Sequence, residues 1–116
     1  MDDLKFKGIA LTDGDREFSK NFGEKGGTFT IRIPLPSQKM AIVSNTSRLL
    51  GGASLDSISA KDYEYARMIA TLDFVITKNP DWWQGVNKCP DDSFLLELWK
   101  FYIESEESFF EKLRKL

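Results

Sequence analysis

The chain contains no histidine and a single cysteine, Cys89. Without histidine it lacks the side chain that ordinarily changes charge near neutral pH, and also the commonest metal ligand. One cysteine excludes an internal disulfide and a thiolate cluster, so no cofactor or metal site is expected. No apolar run approaches the roughly 18 residues of a membrane-spanning helix. The acidic start, Met1-Asp2-Asp3-Leu4-Lys5, lacks the apolar stretch of a signal peptide, so a cytoplasmic protein with no membrane partner is expected. Sixteen Lys and Arg against eighteen Asp and Glu give a net charge of −2, which argues against a nucleic-acid partner. Phosphate-loop, dinucleotide and nucleophile-elbow motifs are all missing. Asp13-Gly14-Asp15 has too few oxygen ligands for a calcium loop and reads as a turn.

What is present suits one domain. With 41% hydrophobic residues in 116, one core can be built. The expected fold class is α+β: an N-terminal two-stranded antiparallel β-ribbon followed by a mainly helical, three-helix C-terminal part. The whole of 1–116 forms one domain in this reading, with 1–27 partly flexible, 28–36 a strand and 37–116 helical. The clearest strand is Thr28–Leu35, where Phe29, Ile31, Ile33 and Leu35 alternate with Thr28, Thr30 and Arg32. Leu4–Leu11 is a weaker strand whose apolar phase slips at Gly8, as at a bulge. Pairing the two strands gives the ribbon, which is marginal alone and needs a helix or another chain over its apolar face. Between them, Thr12–Gly27 holds four glycines and seven charged residues and reads as a loop.

Helical periodicity takes over at Ser37. Met40, Val43, Ser47 and Leu50 form one stripe, stopped by Gly51-Gly52. After a loop over Ala53–Ile58, Ser59 and Asp62 make a helix-capping pattern. The helix they open runs to Thr77 or Lys78 and ends at Asn79-Pro80. Its stripe is Tyr65, Ile69, Leu72 and Ile76. Asp91 or Asp92 caps a final helix reaching the C-terminus. About 24 residues at ~1.5 Å each span roughly 36 Å, so its last turns are expected to project beyond the body.

Candidate chemistry is sparse. Asp73 borders the apolar stripe of its helix and is the best potential acid–base carboxylate, with Asp62, Asp91 or Glu97 as partner, although pairing to Arg67 or Lys88 explains it as well. Cys89 has no histidine to activate it. An enzyme is therefore not expected, and no catalytic residue is assigned. The fifteen aromatics are more informative. Trp82 and Trp83 lie side by side in a connector, so one can anchor inward while the other faces out. Phe109, Phe110, Leu113 and Leu116 lie on the turns expected to project.

Three segments in order, TFTIRIPLPS from Thr28, SAKDYEYARMIATLDFVITKNPDWW from Ser59 and DDSFLLELWKFYIESEESFFEKL from Asp91, carry a resemblance. The chain resembles the tail assembly chaperone-like group of small proteins of tailed bacteriophages and prophages, over about residues 28–113. The resemblance implies a non-enzymatic assembly factor that binds a hydrophobic client of the tape-measure kind and self-associates as a homo-oligomer in the host cytoplasm. A structural tail or connector protein has the same features. The partner-binding residues expected are Phe29, Ile31 and Ile33 on the ribbon, and Trp82, Trp83, Phe109, Phe110 and Leu113 on the helical part. The alternative is a small acidic binding or inhibitor protein, of the immunity-protein or phage-encoded inhibitor type, meeting a basic target through Glu104, Glu106, Glu107 and Glu111.

Overall fold

The structure is a computed structural model describing residues 4–52 and 57–116. Met1–Asp3 and most of the loop expected over Ala53–Ile58 lie outside the described residues. The fold is α+β: among the described residues there are an N-terminal two-stranded antiparallel sheet, a second sheet of three strands and three α-helices. Among the described residues, no helix is long and apolar enough to cross a membrane.

The first sheet differs from the expected ribbon. Leu4–Phe6 (β1) and Ile9–Leu11 (β2) pair with each other, Leu4 opposite Leu11 and Phe6 opposite Ile9. The phase slip at Gly8 is a reversal of the chain: Lys7 and Gly8 both have positive φ, 52° and 79°, as a two-residue hairpin loop of the primed kind requires. Thr28–Arg32 (β4) is a strand as expected, but it pairs with Glu17–Asn21 (β3) on one side and Ile76–Lys78 (β5) on the other, both antiparallel. Glu17–Asn21 is thus a strand, not part of a loop. Arg32 donates to Glu17 at 2.6 Å and the Ser19 and Thr30 hydroxyls lie 2.7 Å apart, so the cross-strand pairs on one face are polar, while Phe18 faces Ile31 on the other. The β3–β4 connection is tight, with Phe22 N–H donating to Gly27 O at 2.8 Å. Gly27 has φ +81°, and a Cβ there would lie 2.7 Å from Pro80 Cβ. Only glycine lets this turn pack on the connector after β5.

Pro36–Leu49 (α1) closes with Gly51 N–H donating to Arg48 O and Gly52 N–H to Ser47 O, both at 3.0 Å, so the glycine stop acts as a Schellman cap. Ala60–Val75 (α2) starts where Ser59 Oγ accepts from the Asp62 N–H at 3.1 Å. It ends earlier than expected, because the β-branched run Ile76-Thr77 leaves the helix to complete the sheet, Ile76 opposite Ile31. Asp92–Arg114 (α3) is capped by Asp91, whose Oδ1 accepts from the Ser93 N–H at 2.9 Å. Three hydroxyls buried among the helices, on Thr46, Thr71 and Ser105, donate to carbonyls four residues earlier at 2.6–2.8 Å, so none enters the core unsatisfied.

One buried cation ties sheet to helices. Arg16 Nη1 donates to Ile33 O at 2.8 Å and to Gln38 Oε1 at 3.3 Å, while Nη2 reaches Asp13 at 3.3 Å. Gln38 Oε1 also accepts from the Leu35 N–H at 2.9 Å, which fixes the entry to α1. Arg16→Met removes the donor to a buried carbonyl. It is expected to lower stability by about 1.5–3 kcal/mol, because hydrogen bonds to charged groups carry that weight. Arg48→Met, at an exposed site, is expected to stay within about 0.5 kcal/mol. Urea unfolding of both variants checks the difference.

Nearby, the Thr12 N–H donates to Asp15 Oδ2 at 2.7 Å, and this bond, helped by the Thr12 hydroxyl and by Lys112 at 3.7 Å, holds the Asp15 carboxyl below its usual range. A carboxyl lowered in the folded state adds stability above its unfolded pKa and loses it as pH falls through the folded one. Asp15→Asn is expected to make the acid limb of the stability–pH curve shallower and leave the curve near neutrality parallel to wild type, as measured by thermal unfolding across pH.

Candidate protein-binding surface

Phe29, Ile31 and Ile33, expected on an uncovered ribbon face, are fully buried. They pack against Leu72, Val75, Leu95, Leu98 and Phe101, with Trp83 and Phe94 joining from the edge. The Phe29 ring meets Trp83 edge-on at 5.1 Å and Phe22 at 5.6 Å. Once β3 and β5 flank β4, its apolar side can be closed by helices of the same chain. The row is interior and offers nothing to a partner.

The end of α3 is a second correction. Phe109 is buried, and Phe110 and Leu113 are half-buried against the core. The Lys39 ammonium of α1 lies 4.9 Å from the centre of the Phe110 ring, and Lys112 pairs with Asp15. The Phe-rich turns are thus covered by α1 and the segment before β3, and do not project as a bare apolar end. The glutamates of this helix are partly engaged as well. Glu106 accepts from the Tyr102 hydroxyl at 2.7 Å, and Glu111 pairs with Lys115 at 3.6 Å. Burial, then the bond to Glu106, raises the Tyr102 pKa.

The tryptophan pair divides its roles. Trp83 is half-buried, whereas Trp82 keeps 45% of its surface exposed. The Trp82 indole N–H donates to Gly26 O at 3.0 Å, and the ring sits 5.5 Å from Phe94. Trp82 is therefore a rigidly held, part-open ring at the meeting of the β3–β4 turn and the start of α3. Asp73 is exposed on α2. Cys89 is half-buried, its thiol 3.5 Å from Asp91 O. Among the described residues, no three His, Cys, Asp or Glu side chains gather to hold a metal ion.

The larger open apolar surface lies on residues that periodicity assigned to packing. α1 turns Ile42 and Thr46 inward and leaves Met40 66% and Val43 54% exposed. The helix carries apolar side chains on both faces, and Ile42, held near the Arg16–Gln38 tie, decides which face packs. That double-sided pattern is the signal that could have found this surface. A second open region runs between α2 and α3. A groove of about 490 Å³ is lined by Tyr65, Met68, Leu96 and Trp99, with Lys61, Asp62, Glu64 and Asp92 around it. The Tyr65 hydroxyl donates to Asp92 at 3.0 Å across the two helices, a bond that raises the Tyr65 pKa. Arg67 lies over Trp99 at 5.3 Å, and Trp99 stacks on Tyr102.

No protein-family model, curated protein or solved structure matches the chain significantly.

Replacing Met40 and Val43 together by Gln is expected to change stability by no more than about 0.5 kcal/mol per site, as for exposed positions generally. Ile42→Ala, between them in sequence, is expected to cost about 2–4 kcal/mol. Equilibrium denaturation separates the two faces. Equal losses at both would show that α1 packs on its Met40–Val43 side.

Proposed function

We propose that the chain is a non-enzymatic assembly factor that holds an apolar segment of a client protein, as its resemblance to tail assembly chaperones of phages suggests. The observation that carries this reading is the apolar surface left open on the helices, above all Met40 and Val43 on α1 and Leu96, 57% exposed, on α3. These side chains stand outside a core that is complete without them, so covering them by another polypeptide gains transfer free energy without opening the fold. Solubility before binding is kept by the charges that surround them, Lys39, Arg67 and Glu106 around Val43 and Asp62, Glu64 and Asp92 beside Leu96. The acidic-inhibitor reading is weaker. Two of its four glutamates, Glu106 and Glu111, are engaged within α3.

The test is suppression of light scattering by an aggregation-prone apolar peptide. Wild type is expected to hold it soluble near equal molar amounts, in low and high salt alike, because apolar contact survives ionic screening. Met40→Glu, Val43→Glu and Leu96→Glu combined are expected to weaken suppression roughly tenfold or more, since each loses about one buried apolar side chain. A triple variant as effective as wild type, or suppression abolished by salt, would overturn the reading.

A further inference from the structure

The β1–β2 hairpin is an arm with an unclosed apolar side. Leu4, Phe6, Ile9 and Leu11 all fall on one face, since directly opposed pairs share a face and so do alternate residues along each strand. Leu4 and Leu11 at its base are half-buried, but Phe6 and Ile9 at its tip are 37% and 42% exposed. A two-stranded hairpin is marginal in water unless something packs on it. The tip is also basic, with Lys5 and Lys7 flanking Phe6 and the Lys7 ammonium 5.3 Å from that ring. Asp2 and Asp3 precede the arm in sequence and lie outside the described residues.

The α2–α3 groove has the opposite character. Its walls are apolar, Tyr65, Leu96 and Trp99, and three carboxylates surround it against the single ammonium of Lys61. Glu64 shares its charge with Arg67 at 3.6 Å, which leaves Asp62 and Asp92 as the freer negative charges. Phe6 and Ile9 suit the walls, and Lys7, in the turn beside Phe6, suits the rim, while Lys5 lies with Ala10 on the outer face of the arm.

One copy does not make this contact with itself: no arm residue lines the groove, and Phe6 and Ile9 stay exposed. Asp15, four residues after the arm, pairs with Lys112, at the C-terminal end of α3, whereas Leu96 and Asp92 lie in its first turns. Sixteen residues of helix separate Leu96 from Lys112, about 24 Å at 1.5 Å per residue. A three-residue strand reaches only about 10 Å. The chain leaving the arm is therefore anchored at the other end of α3 from the groove.

We infer that the β1–β2 arm of one copy docks in the α2–α3 groove of the next, joining copies head to tail. Such a contact uses two different surfaces, so it continues into a ring or an open chain and does not stop at a symmetric pair. It is small beside the ~1,600 Å² of a standard interface, so association is reversible and rises with concentration. This deepens the assembly-factor reading and rests on it: in a chain of copies the groove at Leu96 is taken by the neighbouring arm, and Met40 and Val43 of each copy stay open for a client longer than one copy.

The test is sedimentation velocity of the full chain and of two variants at exposed sites, Phe6→Asp on the arm and Leu96→Asp in the groove, with circular dichroism melts to verify folding. Wild type is expected to shift from the 13.3 kDa monomer to a series of larger species as concentration rises to about 1 mM. Each variant alone loses an apolar anchor and sets an aspartate in the contact, and is expected to associate roughly ten- to hundredfold more weakly. Mixed in equal amounts, the variants keep one intact arm and one intact groove between them, and are expected to give a single species of twice the chain mass. Wild type monomeric throughout, either variant associating like wild type, or a mixture that stays monomeric would each overturn the inference. So would a symmetric dimer that the mixture fails to restore. The two proposals fail separately: a monomer that still holds the apolar peptide refutes only the docking, and a self-assembling chain that does not hold it refutes only the client-binding role.

Discussion

Phe29, Ile31 and Ile33 project from one side of β4 into a space closed by Trp83, Phe94 and the inner faces of α2 and α3, and the need to close that space places every other element. A strand can bury its side chains fully only if its backbone donors and acceptors are paired, and β3 and β5 supply those partners on the two edges. β5 exists because α2 gives up its last residues to the sheet. The helix after it must then reverse over the row, which it does through the Pro80–Pro90 connector that carries both tryptophans. Arg16 locks the far end, joining the carbonyl of Ile33 to the entry of α1.

A core closed this completely leaves apolar residues over. They are found where packing has no use for them: the outer side of α1, the groove between α2 and α3, the ring of Trp82 and the tip of the arm. The proposed handling of an apolar partner asks for a division of the molecule, and the side chains divide in that way. One set of side chains holds the fold together, and a separate set, ringed by charge, stays accessible. Substitutions in the second set should leave the first untouched, which makes the proposed binding surface separable from stability.

Much of the frame was legible in the sequence, because capping chemistry and strict alternation are local signals. Ser59, Asp91 and Gly51-Gly52 act as read, and the alternation from Thr28 holds through Ile33, although β4 closes at Arg32 and Leu35 becomes the N-cap of α1. The misses share a cause. β3 carries one apolar side chain among polar ones, and its identity comes from pairing with β4. Ile76–Lys78 continues a helical stripe on paper, and only the vacant edge of β4 draws it into the sheet. Gly8 marks a phase change that fits a bulge or a hairpin turn equally, and the positive φ at Lys7 decides for the turn. For the surface, exposure depends on which of two apolar stripes of α1 finds the core first, a tertiary choice that no window of sequence contains. The same holds at Phe110, whose ring meets Lys39 of α1 from some 70 residues earlier in the chain.

The most direct measurement of where other chains land is amide hydrogen exchange along the whole sequence, compared between dilute and concentrated solution. The account predicts added protection in two places, over the arm from Leu4 to Leu11 and over the facing first turns of α2 and α3, with the β4 amides slow in both conditions. Protection gained instead at the last turns of α3, or a β4 row that exchanges quickly when dilute and slows on association, would contradict it.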